Sequence, residues 1–333
     1  SSTLRVVGRY SEALAVLLQA EQNNIVDARL AADLGELYLA QGRPRAAVAA
    51  YQQAINLQPD ERSHYLRGAE ILRGQGEFIH AVGLLRRGLN SAAEPAALYA
   101  AMAGLYRDYN EIELAAAILD QGMDAVGDQI EILLGIGDHR AAVEGGESAK
   151  EWYDMALASH PDEPALHVAV GNLAMDANAY DVAIESYETA IALSPQDAAN
   201  HALLAAALKQ AGTRDEAIVA YEQALLLEPT LIDTYMDLAG LYEELGRADD
   251  ARALLDRGML IAPTDGEFYV ADSQYLMEHG EGDRALSMLA AADQVAPTAE
   301  MLIARANFYI SQKRYDDALA DLELAIKKEP GAI

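Results

Sequence analysis

Small and large apolar residues recur along the chain at one fixed spacing. Pro161, Pro195, Pro229, Pro263 and Pro297 stand 34 residues apart, and Pro330 follows at 33. Five residues before each proline is Ala or Gly (Ala156, Ala190, Ala224, Gly258, Ala292, Ala325). Eight before it is a large residue (Tyr153, Tyr187, Tyr221, Leu255, Leu289, Leu322). Twelve before it is a second small one (Ala149, Ala183, Ala217, Ala251, Ala285, Ala318). Turn signals such as Gly42-Arg43-Pro44, Gly212-Thr213-Arg214, Gly246-Arg247 and Gly280-Glu281-Gly282 divide each period into two segments. The proline, with no N–H and a fixed φ, ends the second. A constant period of this length predicts a stacked array of like units, so the usual expectation of about two domains for 333 residues does not apply.

Residues 28–61 display the unit best: Leu34-Gly35-x2-Tyr38 in the first segment, then Ala47-x3-Tyr51, Ala54 and Pro59. The pattern resembles the tetratricopeptide repeat (TPR) family, whose 34-residue unit is a pair of antiparallel helices. The register runs on through 62–95 and 96–129, where Ala93 and Gly127 replace the proline, and then to residue 332. The resemblance implies an all-α fold, a TPR α-solenoid coiled as a right-handed superhelix. In it small residues sit where helices cross closely, and large ones fill the gap between successive hairpins. Residues 1–27 read as the second half of a unit, 28–129 as three units, 130–163 as an irregular one, and 164–332 as five more.

The departures carry their own expectations. In 130–163 the first segment, IEILLGIGDHRAAV, puts Arg140 where the family has an aromatic residue. Gly137 to Val143 reads as an inter-helix turn entering a second helix, just ahead of another such entry at Gly146-Glu147-Ser148-Ala149; a hinge or interruption is expected there. At the start, Gly8-Arg9-Tyr10 reads as a turn and Leu14, Leu17 and Leu18 as a helix face that needs cover. The chain stops three residues after Pro330 without a polar capping helix. Both ends suit the middle of a longer protein, or ends covered by partners or by self-association.

Charge and composition narrow the chemistry. There are 53 Asp+Glu against 24 Lys+Arg, a net charge of -29, and no cysteine. Nucleic-acid binding is disfavoured, and disulfides, Cys-based zinc sites and thiol catalysis are excluded. The imbalance lies wholly in residues 96–333, with 14 basic and 43 acidic groups, since residues 1–95 hold 10 of each. No apolar run approaches the roughly 20 residues of a membrane span, so no direct membrane insertion is expected. No phosphate-binding loop, H-E-x-x-H, G-x-S-x-G or EF-hand loop occurs, and Gly74-Gln75-Gly76 and Gly135-Ile136-Gly137 read as turn glycines. The histidines have no metal-ligand spacing, and His167 and His201 share a packing position of adjacent units. No cofactor, metal or catalytic residue is expected. Of the 17 tyrosines, all but Tyr109 and Tyr275 fall at repeat positions that packing explains.

What remains is the groove. In the family, positions 2, 5, 9 and 12 of each unit face the concave surface. In this chain they give an apolar and amide-bearing strip: Val168, Asn172 and Met175; Ala202 and Ala206; Met236; Val270, Gln274 and Met277; Ile303, Asn307 and Ile310. Apolar side chains there suit a partner's anchors, and Asn or Gln suits a peptide backbone. Arg67 and Arg73 on the first segment of 62–95 offer a carboxylate site, against the alternative of pairing with Glu70. The Lys-and-Asn carboxylate clamp of TPR co-chaperones is not visible. The resemblance implies a non-catalytic protein–protein interaction scaffold whose partner is a protein or peptide, with 164–332 as docking region; the acidic excess fits a solvated face, adaptation to high salt, or the steering of a partner's basic segments. The alternative is a regulatory or substrate-recruiting region of a larger enzyme.

Overall fold

The computed structural model describes residues 27–40, 42–261, 266–295 and 298–328. The expectations for residues 1–26, and for Pro263, Pro297 and Pro330, lie outside them. Among the described residues eighteen helices follow one another and there is no strand. Along the chain they alternate as the first and second helices of nine repeats: α1 (Ala28–Ala40) and α2 (Pro44–Leu57), α3 (Arg62–Gly74) and α4 (Phe78–Leu89), α5 (Ala96–Asp108) and α6 (Ile112–Val126), α7 (Ile130–Val143) and α8 (Gly146–Ser159), α9 (Pro164–Asp176) and α10 (Tyr180–Leu193), α11 (Ala198–Ala211) and α12 (Arg214–Leu227), α13 (Ile232–Glu244) and α14 (Ala248–Ile261), α15 (Gly266–Glu278) and α16 (Gly282–Val295), and α17 (Ala299–Ser311) and α18 (Tyr315–Lys328). In every pair the second helix begins 16 residues after the first.

The chain divides into two compact units. One comprises Asp60–Ala69 and Phe78–Ala248. In it α4 packs on α5, α5 on α6 and α7, α7 on α8 and α9, α9 on α10, α10 on α11, α11 on α12 and α13, and α12 on α13. First helices thus touch first helices, and each pair covers the apolar face of the next, the nearest-neighbour economy of a solenoid. The other unit comprises the described parts of 27–59, Glu70–Glu77 and the described parts of 249–328. There α1 packs on α2, α15 on α16 and α17, α16 on α17, and α17 on α18.

The turn inside each pair explains why the first helix stops. The residue at the fifteenth place of eight repeats has a positive φ: Gly42, Gly76, Asn110, Asn178, Gly212, Gly246, Gly280 and Lys313. The N–H of the next residue then donates to a carbonyl five residues back, as from Arg43 to Tyr38 at 2.8 Å and from Ala179 to Ala174 at 2.8 Å, the Schellman closure of a helix C-terminus. Where the sixteenth residue is arginine it also lies on the aromatic ring at the eleventh place, Arg43 over Tyr38, Arg247 over Tyr242 and Arg314 over Tyr309.

The repeat 130–163 keeps this register, which corrects the reading of Gly137–Val143 as a turn: those residues form the last two turns of α7. The irregularity is one residue wide. The positive φ moves from the fifteenth to the sixteenth place, Gly145 at 96°, while Gly145 N–H still closes on the Arg140 carbonyl at 3.0 Å. The cation–π pair is reversed as well: Arg140 occupies the aromatic place and lies over Trp152 of α8, whose Nε1 donates to the Leu133 carbonyl at 2.8 Å. The core runs through this repeat without a break, with Leu133, Ala149, Tyr153, Ala156 and Leu166 in one cluster.

A second repeating device ties the two helices of a pair. In three repeats the large residue of the second helix is a tyrosine that presses on glycine at the eighth place of the first. A Cβ on Gly35, Gly137 or Gly171 would stand 2.6, 2.1 or 2.5 Å from the ring of Tyr51, Tyr153 or Tyr187. Each hydroxyl donates to the residue after that glycine: Tyr51 to Glu36, Tyr153 to Asp138 at 2.9 Å, and Tyr187 to Asn172 Oδ1 at 2.8 Å. His167 and His201 are structural as expected. Their Nε2 atoms donate to the carbonyls of Pro161 and Pro195 at 2.8 and 3.1 Å and so tie the loop between repeats. Tyr109 and Tyr275 also have packing roles, stacked on Phe78 and His279 respectively.

Candidate functional site

A groove of about 890 Å³ opens within the unit that holds α7, α9 and α11. Its apolar part is Leu134 and Ala141 from α7 with Val168, Ala169 and Leu173 from α9. Its polar part is Asp138, Glu163, Asn172, Asp176, Asp197 and Asn200. No lysine or arginine lines it. The helix period explains this grouping: Val168, Asn172 and Asp176 lie four residues apart along one face of α9.

The tyrosine tethers described above hold the groove's polar groups in place. The Tyr187 hydroxyl donates to Asn172 Oδ1. That direction agrees with Glu36 and Asp138 at the same place of other repeats, which as carboxylates can only accept. The Asn172 amide nitrogen is thereby left to donate. Burial, reinforced by the nearby Asp176 carboxylate, pushes the Tyr187 hydroxyl up to about 12, so it remains a donor at any physiological pH. Asp138 receives the Tyr153 hydroxyl and lies 4.0 Å from Arg107, whose Nη1 donates to the Gly135 carbonyl at 3.3 Å. Asp197 caps α11, its Oδ1 accepting from Ala199 N–H at 3.0 Å. Asn200, in the first turn of α11, is 4% exposed.

The residues expected from the sequence separate into three groups. Val168 and Asn172 line the groove. Met175 is half-buried against the core of Ala174, Ala183 and Tyr187, and Met236 is half-buried on α13. On α15 and α17, Val270 is 6% exposed and belongs to the core with Leu289, Met301 and Phe308. It is a packing residue and not a groove contact, because α17 covers it. Met277 and Ile303 pack half-buried on that same core, while Gln274 and Asn307 are exposed and Ile310 is 44% exposed. Met277 also lines a smaller hollow of about 290 Å³ with Phe308 and Gln312. Arg67 is half-buried and Arg73 exposed on α3, and both already have interaction partners.

Sequence reasoning missed Asp138, Asp176, Asp197 and Asn200. Asp138 was within reach, since it stands at the ninth, groove-facing place of the repeat set aside as irregular. The other three sit at the thirteenth, last and third places, and only the approach of α11 to α9 turns them toward one space.

Among the described residues no group of three or more His, Asp or Glu could hold a metal ion, and no helix is long and apolar enough to cross a membrane. No curated protein matches the chain. Solved structures similar to it include yeast Tom70, 16% identical over 99% of this chain and 84% of that one with a TM-score of 0.55. They also include the APC/C hetero-tetramer Cut9-Hcn1, 17% identical over 89% of this chain and 55% of that one at 0.48, and MamA from Desulfovibrio magneticus RS-1, 20% identical over 51% and 97% at 0.42. The Tom70 likeness shows a shared fold. Family models described as tetratricopeptide repeat match residues 2–61, 32–109, 134–201, 168–231 and 271–333, and a second one residues 208–271. Eighteen helices among the described residues in a 34-residue register, with small residues at the crossings and these matches along most of the chain's length, make the chain a member of the tetratricopeptide repeat family.

Proposed function

We propose that the chain is a non-catalytic protein–protein interaction scaffold that holds an extended segment of a partner in its concave groove within a larger assembly. The observation that carries this reading is the groove on α7, α9 and α11. It joins an apolar floor of Leu134, Val168 and Leu173 to the amides of Asn172 and Asn200, the combination that takes up side-chain anchors and main-chain hydrogen bonds of one peptide. This reading centres docking on residues 134–200, N-terminal to much of the stretch 164–332. A photo-crosslinking amino acid at Val168 tests the proposal, with a second at Val219, which is 70% exposed on α12. In the native source a discrete partner band is expected from position 168 and none from 219. Equal labelling from both positions, or none from either, refutes the groove as the docking site.

A further inference from the structure

The groove is one-sided in charge. Asp138, Glu163, Asp176 and Asp197 line it with no cation among the lining residues. Acidic residues alone signify little on a chain of net charge -29. Two of the four also have structural duties: Asp138 receives Tyr153, and Asp197 caps α11.

The second observation is Asn200. It occupies the third place of its repeat, which elsewhere holds a fully or almost fully buried apolar residue (Leu98, Ile132, Leu166, Phe268 and Met301) and in two repeats a buried polar one, His64 and Thr234. At that place the side chain fills the joint between one repeat and the next, as Leu98 does against Gly88 and Ile132 against Gly122. Asn200 is as buried as those apolar residues, yet it lines the groove, and among the described residues its side-chain amide has no hydrogen-bond partner. An unpaired amide at a place so nearly enclosed, its polar end open to the groove, serves the fold less well than the apolar residue that Leu98, Ile132 and Leu166 supply there. Its neighbour across the groove, Asn172, is held by Tyr187 so that its nitrogen is the free end.

We infer that the groove's ligand is an extended protein segment carrying a lysine or arginine. The Asn172 and Asn200 amides hold its main chain, and the carboxylates of Asp176 and Asp197 hold its cationic side chain. This rests on the reading of the groove as a peptide site and adds the chemistry of the peptide. A carboxylate-ended or acidic segment is turned away by the same four carboxylates.

The test is selection of random nine-residue peptides displayed on phage against the full-length chain, followed by affinity measurement on synthetic peptides. Selected peptides are expected to share one Lys or Arg in a fixed register and to compete with crosslinking at position 168. D176N/D197N keeps shape and helix cap and is expected to weaken them at least tenfold. D215N/E216Q removes the same charge from the start of α12, outside the groove, and is expected to leave affinity within twofold. Asn200→Leu is expected to stabilise the fold while lowering peptide affinity, two opposite movements that a purely structural asparagine would not produce. Selection of neutral or acidic peptides that bind in the groove overturns this inference and leaves the scaffold reading standing. Equal loss from D176N/D197N and D215N/E216Q overturns it too, because the effect would then be a general field. Recovery of no peptide that competes at position 168 defeats the groove reading itself.

Discussion

Two glycine-to-alanine substitutions inside helices should move stability in opposite directions. At Gly171 an added Cβ meets Tyr187 Cε1 at 2.5 Å, Cδ1 at 2.8 Å and Cζ at 2.9 Å. Those atoms belong to a ring 1% exposed, wedged between α9 and α10, whose hydroxyl is tied to Asn172. To restore ordinary contact the ring must retreat by about 0.5–1 Å, which breaks that hydrogen bond and opens the helix pair. Overpacking of this kind costs about 1–3 kcal/mol and the hydrogen bond about 1 kcal/mol. Relief of glycine's helix penalty returns about 1 kcal/mol, so Gly171→Ala should destabilise by about 1–3 kcal/mol. At Gly83 on α4 an added Cβ meets nothing within 4 Å. Gly83→Ala should therefore stabilise by about 0.5–1 kcal/mol. Urea unfolding followed by circular dichroism measures both. Tyr187→Leu should rescue Gly171→Ala, because four of the five repeats with leucine on the second helix carry alanine on the first, as Leu85 with Ala69 and Leu119 with Ala103, and the fifth carries Ser273. The pair Ala205 and Tyr221 is the instructive exception: Ala206 stands where the hydroxyl's acceptor would be, so that ring is not tied to the first helix. A double-mutant cycle additive to within about 0.5 kcal/mol would show that ring and glycine are not coupled.

Further outcomes follow from other parts of the fold. Arg305 binds Asp321 bidentately at 2.7 and 2.8 Å and Asp293 at 3.2 Å, with side-chain exposures of 16% for the arginine and 8% for Asp321. Arg305→Met, which strands that carboxylate, should cost about 3–5 kcal/mol, and R305M/D321L should recover much of it; an R305M protein with unchanged urea midpoint would refute this. The His139 imidazole is held below its usual range by burial first and by Arg107 second, and its Nδ1 has no partner among the described residues. The unfolded chain therefore binds the proton first, and stability should fall as pH drops below about 6.5. His139→Gln should flatten that slope, and identical slopes would be the contrary result. Lys313 holds φ at 60° where other repeats have Gly or Asn, so Lys313→Gly should stabilise by about 1 kcal/mol, read from the same urea curves. Trp152, the single tryptophan, sits in the repeat expected to be a hinge. Because its core is continuous with that of α9, its fluorescence midpoint should coincide with that of circular dichroism. A clearly earlier transition would restore the hinge.

The 34-residue period was legible without coordinates, and with it the helix pairs, the turns and most packing tyrosines. Each rests on local chemistry that repeats: a small residue where helices cross, a glycine or asparagine that accepts positive φ, a proline past a helix end. Two of the family positions, Val168 and Asn172, fall on the lining of the groove. Val270 shows the limit, since one place can face a groove in one repeat and a neighbouring helix in the next, and only packing decides which. The repeat 130–163 shows another. Arg140 and the glycines of α7 look like a break in the sequence, yet Trp152 accepts the arginine and Tyr153 fills the space at Gly137, so the helix runs through. The sequence by itself determined what each repeat is, because a helix pair is built from contacts within 34 residues. Which side chains share one space was decided by tertiary structure alone: Asp138, Asp176, Asp197 and Asn200 come from three repeats and meet only where α7, α9 and α11 do. No spacing along the chain encodes that meeting, since it depends on the angle at which successive pairs stack.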